Sequence, residues 1–160
     1  MYIVLVRHGE TDFNKQEKIQ GSEVDPPLNS SGKQQAIETG KFLKKIEKDN
    51  KKYNHLEKLI HIYDCHKVTH ITKQESWLKI GERASKIINK IIDENYGDSI
   101  LIVSHGSFIE NAIRNLFKIR QIKRDTVGRS NCSITVIKIN QDKTKELIMS
   151  YNNMHLSHLY

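Results

Sequence analysis

The chain has 160 residues, 37% hydrophobic and 28% charged, which suits one globular domain over residues 1–160 and excludes a disordered or fibrous chain. A domain of this size buries about two thirds of the surface its unfolded chain exposes. The formal charge of +7 admits phosphate esters, nucleic acid or membrane surfaces as partners.

The distribution of that charge narrows the list. Lysine runs throughout and is densest from Lys41 to Lys58, where it alternates with Glu47, Asp49 and Glu57. The few arginines have no aromatic residues interleaved, as stacking on bases would require, so no nucleic-acid partner is expected. Two cysteines, Cys65 and Cys132, make no disulfide framework and no CxxC. The N-terminus enters an apolar run and then an arginine, without the pattern of a signal peptide. No apolar run approaches the roughly 20 residues of a membrane span. The expectation is a soluble cytoplasmic protein without a membrane partner.

In chain order, Tyr2 to Val6 is a continuous apolar run, as in a strand buried on both faces. Pro26 to Gly32 is rich in turn formers and offers Ser30 and Ser31 as helix caps. A helix follows, with Ala36, Gly40, Leu43 and Glu47 along one face and Ile37 and Ile46 flanking it. Leu59 to Tyr63 reads as a second strand. Thr72 and Glu75 have capping-box spacing, and Ile80, Ala84, Ile87 and Ile91 form a helical stripe that Gly97 and Asp98 end. Ile100 to Val103 is another buried strand. Phe108, Ile109, Ala112, Ile113 and Leu116 describe a third helix. Ser133 to Ile139 and Glu146 to Tyr151, joined by Asn140 to Asp142, read as a strand pair. Alternating strands and helices predict a three-layer α/β fold, with a mostly parallel central sheet and helices on both faces.

The chemistry-bearing residues fall at two places with one architecture. Arg7-His8-Gly9 and Ser104-His105-Gly106 each follow a buried strand. Ligands of open α/β sheets bind beyond the carboxyl ends of the strands. If the two strands are adjacent and parallel, His8 and His105 meet there. A glycine after each histidine lets the backbone come close to a ligand. The helix after His105 aims its first amides, beginning at Gly106, toward an anion. Arg7 adds a permanently charged fork matched to phosphate oxygens. A neutral imidazole in such a place is a nucleophile toward phosphorus.

Arg7-His8-Gly9-Glu10-Thr11-Asp12-Phe13-Asn14 resembles the signature of the histidine phosphatase (phosphoglycerate-mutase-like) superfamily. Asp25 to Ala36 is similar to that family's D-x-P-L-(T/S)-x-x-G-x-x-Q-A. Ser104-His105-Gly106 resembles its second histidine motif, and Asn131 to Ile134 and Asn152 to Leu156 resemble late motifs of its phosphatase branch. The resemblance implies that His8 is the phosphorylated nucleophile and that Arg7 and Asn14 bind phosphoryl oxygens. It implies that His105 stabilises the transferring group and that no metal or other cofactor is needed. The substrate implied is a small phosphorylated molecule. A phosphoglycerate-type mutase fits less well, because the chain lacks room for that class's insertions.

The middle departs from the pattern. Members usually carry a second pocket arginine and an acid after the second strand, but no arginine lies between Arg7 and Arg83. Losing a charge-assisted contact of that kind costs roughly 1.5–3 kcal/mol. Asp64, directly after the second strand, is the expected general acid. Lys67 is a candidate point charge for the missing arginine, with His66, His70 and Glu75 as further candidates. Glu75 is better explained as a helix cap, and the His66, His70, Cys65 and Asp64 group matches no metal-ligand spacing. Glu10 is expected to orient its loop or a neighbouring basic group, Cys132 to be buried, and Trp77 to line the core or pocket. His155 lies in a motif that is structural in the family, so with His158 it makes no ligand pair. A phosphate-binding module without turnover is the alternative function. Oligomeric state is not legible in the sequence.

Overall fold

A computed structural model describes residues 1–18, 25–48, 59–64, 77–95, 97–119 and 130–151. The elements are β1 (Tyr2–Arg7), α1 (Asp12–Lys15), α2 (Ser30–Lys48), β2 (Leu59–Asp64), α3 (Trp77–Glu94), β3 (Ser99–Ser104), α4 (Gly106–Leu116), β4 (Ile134–Ile139) and β5 (Lys145–Tyr151). The strands form one sheet in the order β2-β3-β1-β4-β5. β2, β3 and β1 run parallel, whereas β4 is antiparallel to both β1 and β5. Four of the five strands therefore point one way, and β4 alone reverses.

β1 is central because its sequence can be buried on both faces. Ile3, Val4 and Leu5 are each 0% exposed. Ile3 and Leu5 pack with α3 and α4 on one side, in a core that includes Ala84, Ile88, Phe108, Ile109 and Ile113. Tyr2, Val4 and Val6 face the other side with Ile134 and Val136, against Phe42 and Leu43 of α2. This period-two division is what a strand between two helical layers requires. Each such apolar side chain contributes about 1.5–3 kcal/mol by burial.

α4 buries all five residues of its expected stripe. α3 turns slightly from its expected face: Ala84, Ile88, Ile91 and Ile92 are buried, and Ile87 is only partly so. The rotation brings Gly81 against α4, where Asn115 Nδ2 donates to the Gly81 carbonyl at 3.2 Å.

α2 differs more. Ala36, Ile37 and Gly40 are exposed, and the inward face is Gly32, Gln35, Thr39, Phe42 and Leu43. The cause is at the helix start, where contacts with the loop after β1 set the rotation. The cap also moves: Asn29 Oδ1 accepts from Gly32 N at 2.8 Å, so Asn29 takes the role expected of Ser30 or Ser31. Thr72 and Glu75 lie outside the described residues. Among those described, no helix is long and apolar enough to cross a membrane.

Candidate functional site

β1 and β3 are adjacent and parallel, with Arg7 opposite Ser104, so both histidines emerge at one edge of the sheet. The backbone amide of His8 donates to the Ser104 carbonyl at 3.0 Å, extending the ladder one residue past the strand. The imidazoles of His8 and His105 stand edge to face, with centroids 4.8 Å apart and planes at 64°.

His8 Nδ1 lies 2.7 Å from the Gly9 carbonyl oxygen. A carbonyl only accepts, so this contact requires a proton on Nδ1, and in the neutral ring the lone pair is then on Nε2. The neutral ring held in this way presents Nε2 as a nucleophile. His105 is the N-cap residue of α4, and its side chain makes no cap bond. Its carbonyl accepts from Ile109 N at 3.0 Å. The ring is thus carried by the first turn of α4, whose orphan amides begin at Gly106.

The loop after β1 is held from several directions. An added Cβ at Gly9 would lie 2.3 Å from the Gly32 carbonyl oxygen, and one at Gly32 would lie 2.0 Å from that of Glu10. Gly9 is therefore required by contact with the start of α2. This is a different cause from the ligand approach expected of it, and one the sequence pattern does not distinguish. Glu10 N donates to Gln35 Oε1 at 2.9 Å, and Asn29 Nδ2 donates to Glu10 Oε1 at 2.8 Å. Glu10 orients its loop, as expected.

Further along, Thr11 caps α1 in a reciprocal box with Asn14. Asn14 N donates to Thr11 Oγ1, and Thr11 N donates to Asn14 Oδ1 at 3.1 Å. The sequence reading missed this four-residue helix, because asparagine stands where the usual box has Glu or Gln. Thr11 also bridges Leu28, tying the two ends of the intervening segment.

The turn before β4 reaches into the same place. Asn131 Nδ2 donates to the His8 carbonyl and to Asn14 Oδ1, both at 3.0 Å. Cys132 N lies over the Arg7 and His8 carbonyls at 3.1 and 3.2 Å. Cys132 has φ of 58°, a left-handed conformation that costs a non-glycine residue roughly 1–2 kcal/mol. It is half-buried, and burial pushes its thiol up from the ordinary range against the opposing effects of a Thr39 hydrogen bond and the Arg7 charge. Ser104 at the end of β3 and Ser133, just before β4, flank Arg7. Their hydroxyls are buried without a hydrogen-bond partner among the described residues.

β2 is described by its backbone. Asp64 ends β2 opposite Val103 of β3, at the sheet edge where His105 emerges. Its side chain is outside the described set, as are Cys65, His66, Lys67, His70, Glu75, His155 and His158. Trp77 begins α3. Arg83 is half-buried with its guanidinium carbon 5.9 Å from the centre of the Phe108 ring. Among the described residues, no three metal-binding side chains converge.

The family model for the histidine phosphatase superfamily (branch 1) matches residues 3–55 and 48–153. An uncharacterized phosphatase, PhoE, from Bacillus subtilis is 53% identical over 47 residues, which are 29% of this chain and 24% of that protein. Fructose-2,6-bisphosphatase TIGAR B from Danio rerio is 38% identical over 58 residues, 36% of this chain and 23% of that one. The matched stretches thus span about a quarter of the length of these curated relatives. Among solved structures, Bacillus stearothermophilus YhfR superposes with a TM-score of 0.69 at 19% identity, covering 96% of this chain and 98% of that one. A mutant phosphoserine phosphatase from Entamoeba histolytica in complex with phosphoserine gives 0.66 at 19% identity, covering 97% and 98%. These last two likenesses establish the fold.

Proposed function

Because the chain belongs to the histidine phosphatase superfamily, branch 1, we propose that it hydrolyses a small phosphate monoester through a phosphohistidine on His8. The observation that carries this reading is the His8–His105 pair, 4.8 Å apart over one sheet edge, with the His8 proton fixed on Nδ1. His8 Nε2 attacks phosphorus as the ester P–O bond breaks. Arg7, Asn14 and the first amides of α4 at Gly106 bind the phosphoryl oxygens, and His105 stabilises the charge that gathers on them. The leaving oxygen takes a proton from an acid, for which Asp64 is the candidate by its place at the end of β2. Water then attacks the phosphohistidine, releasing inorganic phosphate and restoring His8. Arginine and histidine supply the charge neutralisation, so the proposed reaction draws on no metal.

The test is phosphate release from an aryl phosphate, phosphoserine and 3-phosphoglycerate, with chelator present. It is run with a search for acid-labile phosphate on the quenched enzyme. Turnover is expected, with His8→Ala lowering it at least about a thousandfold, the scale seen on removing a nucleophile, and abolishing the phosphoenzyme. No turnover by a folded protein that binds phosphate would overturn the reading in favour of a binding module.

A further inference from the structure

Asn131 makes an unusual use of its amide. Its Nδ2 carries two hydrogens, and both are directed at the site: one to the His8 carbonyl, the other to Asn14 Oδ1, each at 3.0 Å. Asn14 Oδ1 also receives Thr11 N at 3.1 Å. With two donors converging on that oxygen, the Asn14 carboxamide is held in one of its two orientations, and its own two hydrogens are directed away from them. Asn14 alone in the α1 capping box would be oriented by one backbone amide. Asn131 supplies the second constraint, from 117 residues away in the chain.

The turn that delivers Asn131 is itself over-determined. Ser133 N donates to the Ser130 carbonyl at 3.1 Å, and Cys132 N reaches the Arg7 and His8 carbonyls. Cys132 holds its left-handed conformation between these bonds. Such conformations persist where the surroundings fix them.

We propose that Asn131 is a positioning residue for phosphate binding: it fixes the Asn14 carboxamide with its NH2 group presented to the phosphoryl oxygens. The assignment rests on the proposed phosphate pocket but not on turnover. Asn131 touches neither the phosphate nor the reacting atoms in this role. It acts through Asn14, and that dependence is measurable.

The experiment is a double-mutant cycle in affinity for inorganic phosphate and orthovanadate. It compares the intact chain with Asn131→Ala, Asn14→Ala and the double variant, with melting temperatures recorded for each. Asn131→Asp is the near-isosteric control. It keeps the volume, loses both donors and turns a carboxylate toward Asn14 Oδ1. Asn131→Ala is expected to weaken binding about tenfold, and Asn131→Asp more, as when a hydrogen bond to a charged group is lost. In the Asn14→Ala background, Asn131→Ala should change affinity less than about twofold, since contacting residues that act together are not additive. Equal losses in both backgrounds would overturn the proposal and give Asn131 an independent structural role. Unchanged affinity in Asn131→Asp would also overturn it. Should Asn131→Ala fail to fold, the same cycle with Asn131→Asp decides the matter. A chain that binds phosphate but turns over no ester would defeat the phosphatase reading while leaving this one standing. A chain that binds neither anion would defeat both.

Discussion

The ends of β1 and β3 carry nearly the same short sequence, a histidine then a glycine after a buried strand, yet they are secured by different physics. His105 passes directly into α4, whose Phe108, Ile109, Ala112, Ile113 and Leu116 are anchored in the larger apolar core. Its position is inherited from hydrophobic packing. His8 passes into a loop that, among the described residues, contributes no side chain to either apolar cluster. That loop is held by hydrogen bonds from β3, α2 and the turn before β4, and by the backbone contact of Gly9 with Gly32. Directional bonds fix orientation as well as place, which is what a group forming a bond in line with phosphorus requires. A partner that only stabilises charge is served by a rigid helix end.

The contrast is open to attack from either side. Ile109 is 1% exposed, and Ile109→Ala should destabilise the protein by about 2–5 kcal/mol through a core cavity. Below its lowered melting point, kcat/KM should fall modestly, through His105 at the head of α4, while the His8 loop, which does not depend on that packing, keeps its place. Gly9→Ala should do the reverse. The cost in stability is about 1–3 kcal/mol, typical of overpacking against neighbours that cannot yield, but phosphate affinity and turnover should fall together, because the loop must shift to relieve the clash. Thermal melts with kinetics on the two variants check both. A Gly9→Ala protein that is destabilised but fully active would show that hydrogen bonding does not position His8.

The smallest effect concerns Cys132. Its thiol is raised by burial, so the neutral form is favoured in the fold. That contribution to stability is present below the thiol's unfolded pKa and is lost as pH rises through the folded value. In a Cys65→Ser background, iodoacetamide should modify the native protein at pH 8 more slowly than the unfolded one, since the thiolate is the reacting form. Equal rates would mean that the turn before β4 is open to solvent and holds the His8 loop loosely.

The parts legible in the sequence follow the same division. α4 and β1 could be read because hydrophobic periodicity reports the burial that forms them. The meeting of His8 and His105 followed from two strand-end histidines and the rule for parallel sheets. The first half of the inward face of α2 could not be read: Gly32, Gln35 and Thr39 point inward, with Gly32 and Gln35 in contact with the loop, and Ile37 is 53% exposed. Apolarity gives no account of such a face. Nor could the pairing of Asn131 with Asn14, which depends on β4 lying beside β1. The hairpin of β4 and β5 was visible as a local pattern, but its place in the sheet was not.

The strand order has a consequence for how the molecule is made. Among the described strands β1 comes first in the chain, and it lies between β3, about a hundred positions later, and β4, about 130 positions later. One of its edges stays unpaired until β3 has been synthesised, and the other until β4. Closing such long loops before any pairing is gained makes for slow folding, and an apolar strand left waiting is exposed to aggregation. The loop carrying His8 therefore gains its contacts from Asn131 and Cys132 only after the turn before β4 has been synthesised.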